Sequence, residues 1–213
     1  MTGSVRYPSD TLYLHCIIRF VSIPGTNGTS SLKKSFRDNT LNEDLLQWFE
    51  LGEDTDVTIR VGDESFQAHK SILAARSVYF RSLFRSGMAE TVSNEINIED
   101  ADPRAFKELL RFLYSGLSPN DLGAIAMSLL PLADRFGALP LKELCVTAVE
   151  KAVKVETVID SLSLAQSHSC PSLNDKCLAF IKANRQKLKT TESWKRLKSD
   201  HHLAGVVLDA LCD

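Results

Sequence analysis

Cysteine is scarce in this 213-residue chain, and its five occurrences, Cys16, Cys145, Cys170, Cys177 and Cys212, form an odd set with no C-x-x-C pair. That usage excludes a disulfide framework and a structural zinc finger, and it predicts a reducing, intracellular compartment, nuclear or cytoplasmic. An excess of either charge is missing too: 25 Lys and Arg face 27 Asp and Glu, for a formal charge of -2. Bulk charge therefore selects neither nucleic acid nor an anionic membrane as a partner. Long apolar runs are lacking as well. The nearest, LYLHCIIRFVSI at 12–23, is interrupted by His15 and Arg19 and is too short for a bilayer, so neither a membrane span nor a secretory signal is expected. The sequon Asn27-Gly28-Thr29 then goes unused.

Catalytic signatures are equally wanting. No G-x-S-x-G, H-E-x-x-H, P-loop or G-x-G-x-x-G occurs, and GTNGTS (25–30) lacks the lysine that a phosphate loop needs. His168, Cys170 and Cys177 come nearest to a metal cluster, but the H-x-C spacing matches no common zinc site. His69 reads most simply as a buried, hydrogen-bonded histidine. The seven bases from Lys182 to Lys198 enclose only Glu192 as an acid, and with no recognition motif beside them they read as a solvated helix end. The expectation is a protein without catalytic residue, metal or cofactor.

What the chain does contain is 44% apolar and 24% charged residues, enough to bury a core. TLYLHCIIRFVSI (11–23) alternates as a strand, which needs a ladder partner or stands as the remnant of a larger domain. Residues 24–40, rich in Gly, Ser, Thr and Asn, read as a linker. LNEDLLQWFEL sets Leu41, Leu45 and Trp48 at helical spacing. DVTIRVG (56–62), a GDES turn and SFQAH predict a β-hairpin, and HKSILAARS and SVYFRSLFRSG two short helices, with Ser77 as N-cap and Gly87 as left-handed C-terminal cap. NEINIED (94–100) predicts a third strand. ADPRAFKELLRFLYSG opens on the Asp102-Pro103 start signal and closes at Gly116. From Asp121 onward the pattern is helical only. Pro140 and Pro171 suit first turns, whereas Pro131 interrupts a periodic helix, where proline costs about 3 kcal/mol unless the helix bends. A bend is therefore expected there.

That order of elements, with FQAHKSILAARSVYF (66–80), INIEDADPRAFKELLRFLYSG (96–116) and LLPLADRFGALPLKELC (129–145), resembles the BTB/POZ domain of the MATH-BTB family typified by the speckle-type POZ protein. The resemblance covers residues 41–211. It implies an α+β fold in which a BTB/POZ domain at 41–140, a short sheet flanked by helices, is followed by a BACK-like helical extension at 141–213. Residues 1–23 resemble the last strand of the MATH domain that precedes the BTB domain in that family. In the family the MATH domain captures substrates, and the BTB domain dimerises and binds the cullin-3 scaffold of a RING-type ubiquitin ligase.

Carried over position by position, the resemblance implies a dimer interface at Leu41, Leu45, Trp48 and Ile72, with Trp48 bulkier than the family's leucine. The helix of Leu41, Leu45 and Trp48 has a surplus apolar face, which independently suits a self-complementary patch; the same residues also suit an intramolecular core. The family's hydrophobic-x-Glu contact with cullin-3 matches Met88-Ala89-Glu90, and Tyr114 matches a position near the cullin surface or a core cap. Asp56 and Lys70 match a charged pair of the BTB pocket, or a structural ion pair. Helices 155–184 resemble the extension that widens the cullin contact. Leu208 lies in a helix resembling a second self-association surface, where the family carries an aromatic residue, so higher oligomers are expected to be weaker or absent. The expected function is a non-catalytic, dimeric adaptor of a cullin-3 ubiquitin ligase, able to heterodimerise with full-length MATH-BTB relatives, its substrate unspecified. The other reading is a BTB interaction scaffold or transcriptional regulator without a ligase role, which the lack of a DNA-binding module disfavours.

Overall fold

A computed structural model describes residues 41–86, 94–197 and 200–212. The strand expected at 11–23, the linker at 24–40 and the motif residues Gly87, Met88 and Glu90 lie outside the described residues.

Helix α1 (Leu41–Leu51) leads into strands β1 (Val57–Val61) and β2 (Glu64–Ala68). Gly62, at φ 57°, takes the first position of the two-residue turn between them, a conformation that costs glycine no Cβ clash. The return strand begins at Glu64, inside the stretch expected to be turn, because a two-residue loop matches the strands' twist. Helices α2 (Lys70–Arg76) and α3 (Val78–Arg85) follow, then β3 (Glu95–Ile98). β1 is the central strand, antiparallel to β2 and parallel to β3, with Ile59 opposite Phe66 on one side and Ile96 on the other. Alternation places Val57, Ile59, Val61, Phe66, Ala68, Ile96 and Ile98 in the core.

Helix α4 (Pro103–Ser115) packs under α1 and against α2. It starts where the sequence says: Asp102 accepts the Arg104 N–H at 3.1 Å, and it ends at Gly116 in the left-handed region at φ 70°. Helices α5 (Leu122–Arg135) and α6 (Leu139–Ala152) form an antiparallel hairpin. Helix α5 is assigned as one helix with Pro131 inside it. The proline deprives the carbonyl of Met127 of its partner, and Met127 is surface-exposed, so water can take that place. Buried Leu129, Leu130, Leu132 and Ala133 hold the helix to the core on either side.

The remaining helices are α7 (Val158–Ser167), α8 (Pro171–Leu188), α9 (Glu192–Leu197) and α10 (His201–Cys212). The interruption falls in α8, at Asn184, whose φ of -116° and ψ of 17° leave the helix while its side-chain amide donates to the Phe180 carbonyl at 3.0 Å. The sequence pattern runs out at that same asparagine. Helix α8 packs on α7, α6 and α10.

The centre of the molecule is aromatic. Phe80 of α3, Phe106 of α4 and Phe136 after α5 are all fully buried, with ring centroids 5.1 Å apart for Phe80 and Phe136 and 5.4 Å for Phe106 and Phe136. Phe66 of β2 meets Phe106 at 5.8 Å, so the cluster joins the sheet to three helices. Among the described residues no buried side-chain nitrogen or oxygen lacks a hydrogen-bond partner.

Candidate functional site

The orientation of α3 is set by one hydroxyl. Ser77 Oγ accepts the Phe80 N–H at 3.3 Å, capping the helix, and donates to the Phe136 carbonyl at 2.6 Å. With Phe80 directed into the core, the residue two places earlier, about 200° round the helix, faces out, and Val78 is 62% exposed. Val78, Tyr79, Ser82, Leu83 and Ser86 form one wall of an open groove of about 570 Å³ whose other wall is Asp134, Arg135 and Gly137. Gly137 takes φ 69°, and a Cβ there would stand 3.7 Å from that of Val78. Ser86 on the rim precedes the Gly87-Met88-Ala89-Glu90 segment in sequence.

A second groove of about 460 Å³ lies on the other side of the turn at 136–138 between α5 and α6. It is lined by Leu139, Val146, Cys170 and Pro171, with Lys142, Glu143 and Glu150 at its margin. Leu139 is 62% exposed. Between the grooves Asp134 accepts from Lys142 Nζ at 2.7 Å and pairs with His168 Nδ1 at 2.9 Å, while Lys142 also donates to the His168 carbonyl at 2.7 Å. Burial pushes the Asp134 carboxyl up, but the bonds and charges of Lys142 and His168 together outweigh it and hold the group below its ordinary value. The Cys170 thiol is pushed up, chiefly by burial.

A third polar cluster lies beneath α1. Tyr114 is 3% exposed, and its hydroxyl accepts the His69 backbone N–H at 2.8 Å while meeting His69 Nδ1 at 2.7 Å. His69 Nε2 lies 2.8 Å from the Glu53 carbonyl, which can only accept, so Nε2 carries the proton and, in the neutral ring, Nδ1 accepts from Tyr114. Burial, above all, pushes the Tyr114 phenol up to about 12; the His69 bond lowers it and Asp56 raises it. Tyr114, assigned by resemblance to the neighbourhood of a partner surface, is thus a core residue whose hydroxyl is already engaged. His69 is the buried, bonded residue its sequence context indicates.

The other residues carried over are distributed as follows. Leu41 is 63% exposed, while Leu45, Trp48 and Ile72 are half-buried. Trp48 stacks on the His69 ring, with centroids 3.7 Å apart. Asp56 and Lys70 come together, but through the main chain: Asp56 Oδ1 accepts the Lys70 N–H at 2.7 Å at the start of α2, and Lys70 Nζ donates to Asn94. Leu208 on α10 is 61% exposed. Val78, Leu139 and Asp134 escape a reading of the sequence by pattern. A lone valine after an N-cap carries no signal, although the burial of Phe80 two residues later fixes its direction. Among the described residues no group of three or more His, Cys, Asp or Glu is arranged to hold a metal ion.

Comparison with known proteins places the chain in a class. The BTB/POZ domain model matches residues 45–153, and the BPM/SPOP BACK domain model matches residues 157–206. The chain belongs to the BTB/POZ domain family and carries a BACK domain of the BPM/SPOP type. Among its relatives, TD and POZ domain-containing protein 5 of Mus musculus is 35% identical over 204 residues, covering 93% of this chain and 59% of the relative. TD and POZ domain-containing protein 1 of Mus musculus is 33% identical over 210 residues, covering 96% of this chain and 57% of the relative. The chain therefore spans less than two thirds of the length of these curated relatives. Among solved structures, the BTB domain of zebrafish PATZ1 aligns with 30% identity and a TM-score of 0.45, covering 52% of this chain and 88% of that one.

Proposed function

We propose that this protein is a non-catalytic adaptor that recruits cullin-3, and with it a RING-type ubiquitin ligase, through α3 and the α5–α6 turn, with Met88 and Glu90 of the sequence motif as further contact residues. The observation that carries the reading is the first groove. Val78, 62% exposed, stands out on its wall, which includes Ser86, immediately before the hydrophobic-x-Glu motif in sequence. Methionine suits insertion into a partner's apolar surface, and a neighbouring glutamate adds a hydrogen-bond acceptor, the makings of a compact hot spot. The family membership supports the same reading, and the second groove, where the BACK helix α8 meets α6, extends the surface.

The adaptor performs no bond chemistry. It raises the effective concentration of a substrate near the charged transfer enzyme, and dimerisation adds avidity. We propose that Leu41, together with the half-buried Leu45, Trp48 and Ile72, meets its counterparts in a second BTB domain, of the same chain or of a full-length MATH-BTB relative. The exposure of Leu41 in the single chain supports this.

The test is a calorimetric titration with the N-terminal domain of cullin-3, run on the parent, Met88→Glu and Val78→Asp, each checked for unchanged thermal stability. Binding by the parent and a loss of roughly thirtyfold or more in each variant is expected. No binding by a folded, dimeric parent would overturn the adaptor reading and favour a BTB scaffold without a ligase role.

A further inference from the structure

The His168-x-Cys170 spacing, which suits no metal, has another use. His168 closes α7 and is held twice: its ring by the Asp134 carboxylate of α5, its main-chain carbonyl by the Lys142 ammonium of α6. Ser169 then takes φ 51°, a left-handed conformation that costs a non-glycine residue and persists where its surroundings fix it. Cys170 opens α8 with its Sγ 3.5 Å from the same His168 carbonyl. The ion-paired side chains are only partly exposed, 18% for Lys142, 22% for His168 and 33% for Asp134, so solvent competes poorly for their bonds. The network links residues of the two grooves. Asp134 lines the first, and Lys142, Ser169 and Cys170 line the second. Gly137 of the first groove and Leu139 of the second are separated by one residue.

We propose that Asp134, Lys142 and His168 form a latch that fixes the α7–α8 turn of the BACK domain against the α5–α6 turn of the BTB domain, so that two grooves are presented to cullin-3 as one docking surface. The docking half of this statement rests on the adaptor reading above. Lys142 is a positioning residue: it reaches across the domain junction to a main-chain oxygen that otherwise keeps only a weak thiol contact.

The experiment is hydrogen exchange on the whole chain, comparing the parent with Lys142→Met, which keeps the aliphatic stem and deletes the ammonium, and Lys142→Arg, which restores donors. Lys142→Met is expected to exchange roughly tenfold faster over residues 166–174, with β1 and α4 unchanged and with recovery in Lys142→Arg. In a parallel titration Lys142→Met should bind the cullin-3 N-terminal domain roughly tenfold more weakly, whereas Val78→Asp should lose binding without altering exchange at the turn. Unchanged exchange at 166–174, or acceleration spread over the whole chain, overturns the latch. Faster exchange with unchanged affinity overturns its positioning role. A parent that binds no cullin-3 removes the docking half, and the exchange result alone then decides the latch.

Discussion

Tyr114 illustrates how a single hydroxyl can be committed on all sides. It receives the backbone N–H of His69 and supplies the proton that His69 Nδ1 needs, and its ring lies 4.8 Å from that of Phe49. Replacement by phenylalanine keeps the ring and removes the oxygen, stranding a buried N–H and a ring nitrogen. Tyr114→Phe is expected to lose about 1–3 kcal/mol in urea-induced unfolding, with native secondary structure retained. Of the two readings the sequence left open for Tyr114, a partner-facing residue and a core cap, its burial against Phe49 of α1 matches the second. Met88 and Glu90, the residues most specific to the docking proposal, lie outside the described residues, and titration is the measurement that addresses them.

At the scale of elements, the legible features are those with a local cause. Asp102-Pro103, Gly116 and Ser77 act within one turn of the residues they cap, and the alternation of DVTIRVG needs no distant partner to be recognised. Features set by distant chain were not legible. The parallel pairing of β1 with β3 joins Thr58 to Glu95, residues far apart in sequence. The Asp134–His168 pair joins residues 34 apart, and nothing in LADRF announces it. Pro131, whose local signal favours a bend, stands inside the single helix α5 with buried neighbours on both sides. Phe136 closes the aromatic cluster from just beyond α5, so its removal leaves a void against Tyr79 and Phe80 of α3 and Phe106 of α4. Phe136→Ala is expected to cost about 3–5 kcal/mol, read from the shift of the denaturant midpoint at unchanged slope.

For the whole molecule, three buried acids of high pKa make alkaline stability the informative axis. Burial pushes the Cys145 and Cys177 thiols from an ordinary 9.0 to about 12, with Glu150 adding to the shift at Cys177, and Tyr114 rises from 10.0 to about 12. Above pH 9 the unfolded chain releases these protons while the folded one retains them, so the unfolded state binds fewer and stability falls as pH rises. Urea midpoints are expected to hold up to about pH 9 and to decline from there towards pH 12, at up to about 1.4 kcal/mol per pH unit for each group. A flat profile across that window would mean that the thiols and phenol are not held in the core. Asp134 acts on the other side: its contribution is present above its ordinary pKa and fades as pH falls through the lowered value.

The central position of β1 has a consequence for synthesis. Its antiparallel partner follows after two residues, so the hairpin can close in microseconds once it leaves the ribosome. Its parallel partner begins only at Glu95, after α2 and α3. During that interval Val57–Val61 presents an unpaired edge rich in β-branched residues, the kind of template on which nascent chains associate. The edge stays open from the time the hairpin has left the exit tunnel until Glu95–Ile98 has left it too, and that is the interval in which a holdase chaperone has most to protect.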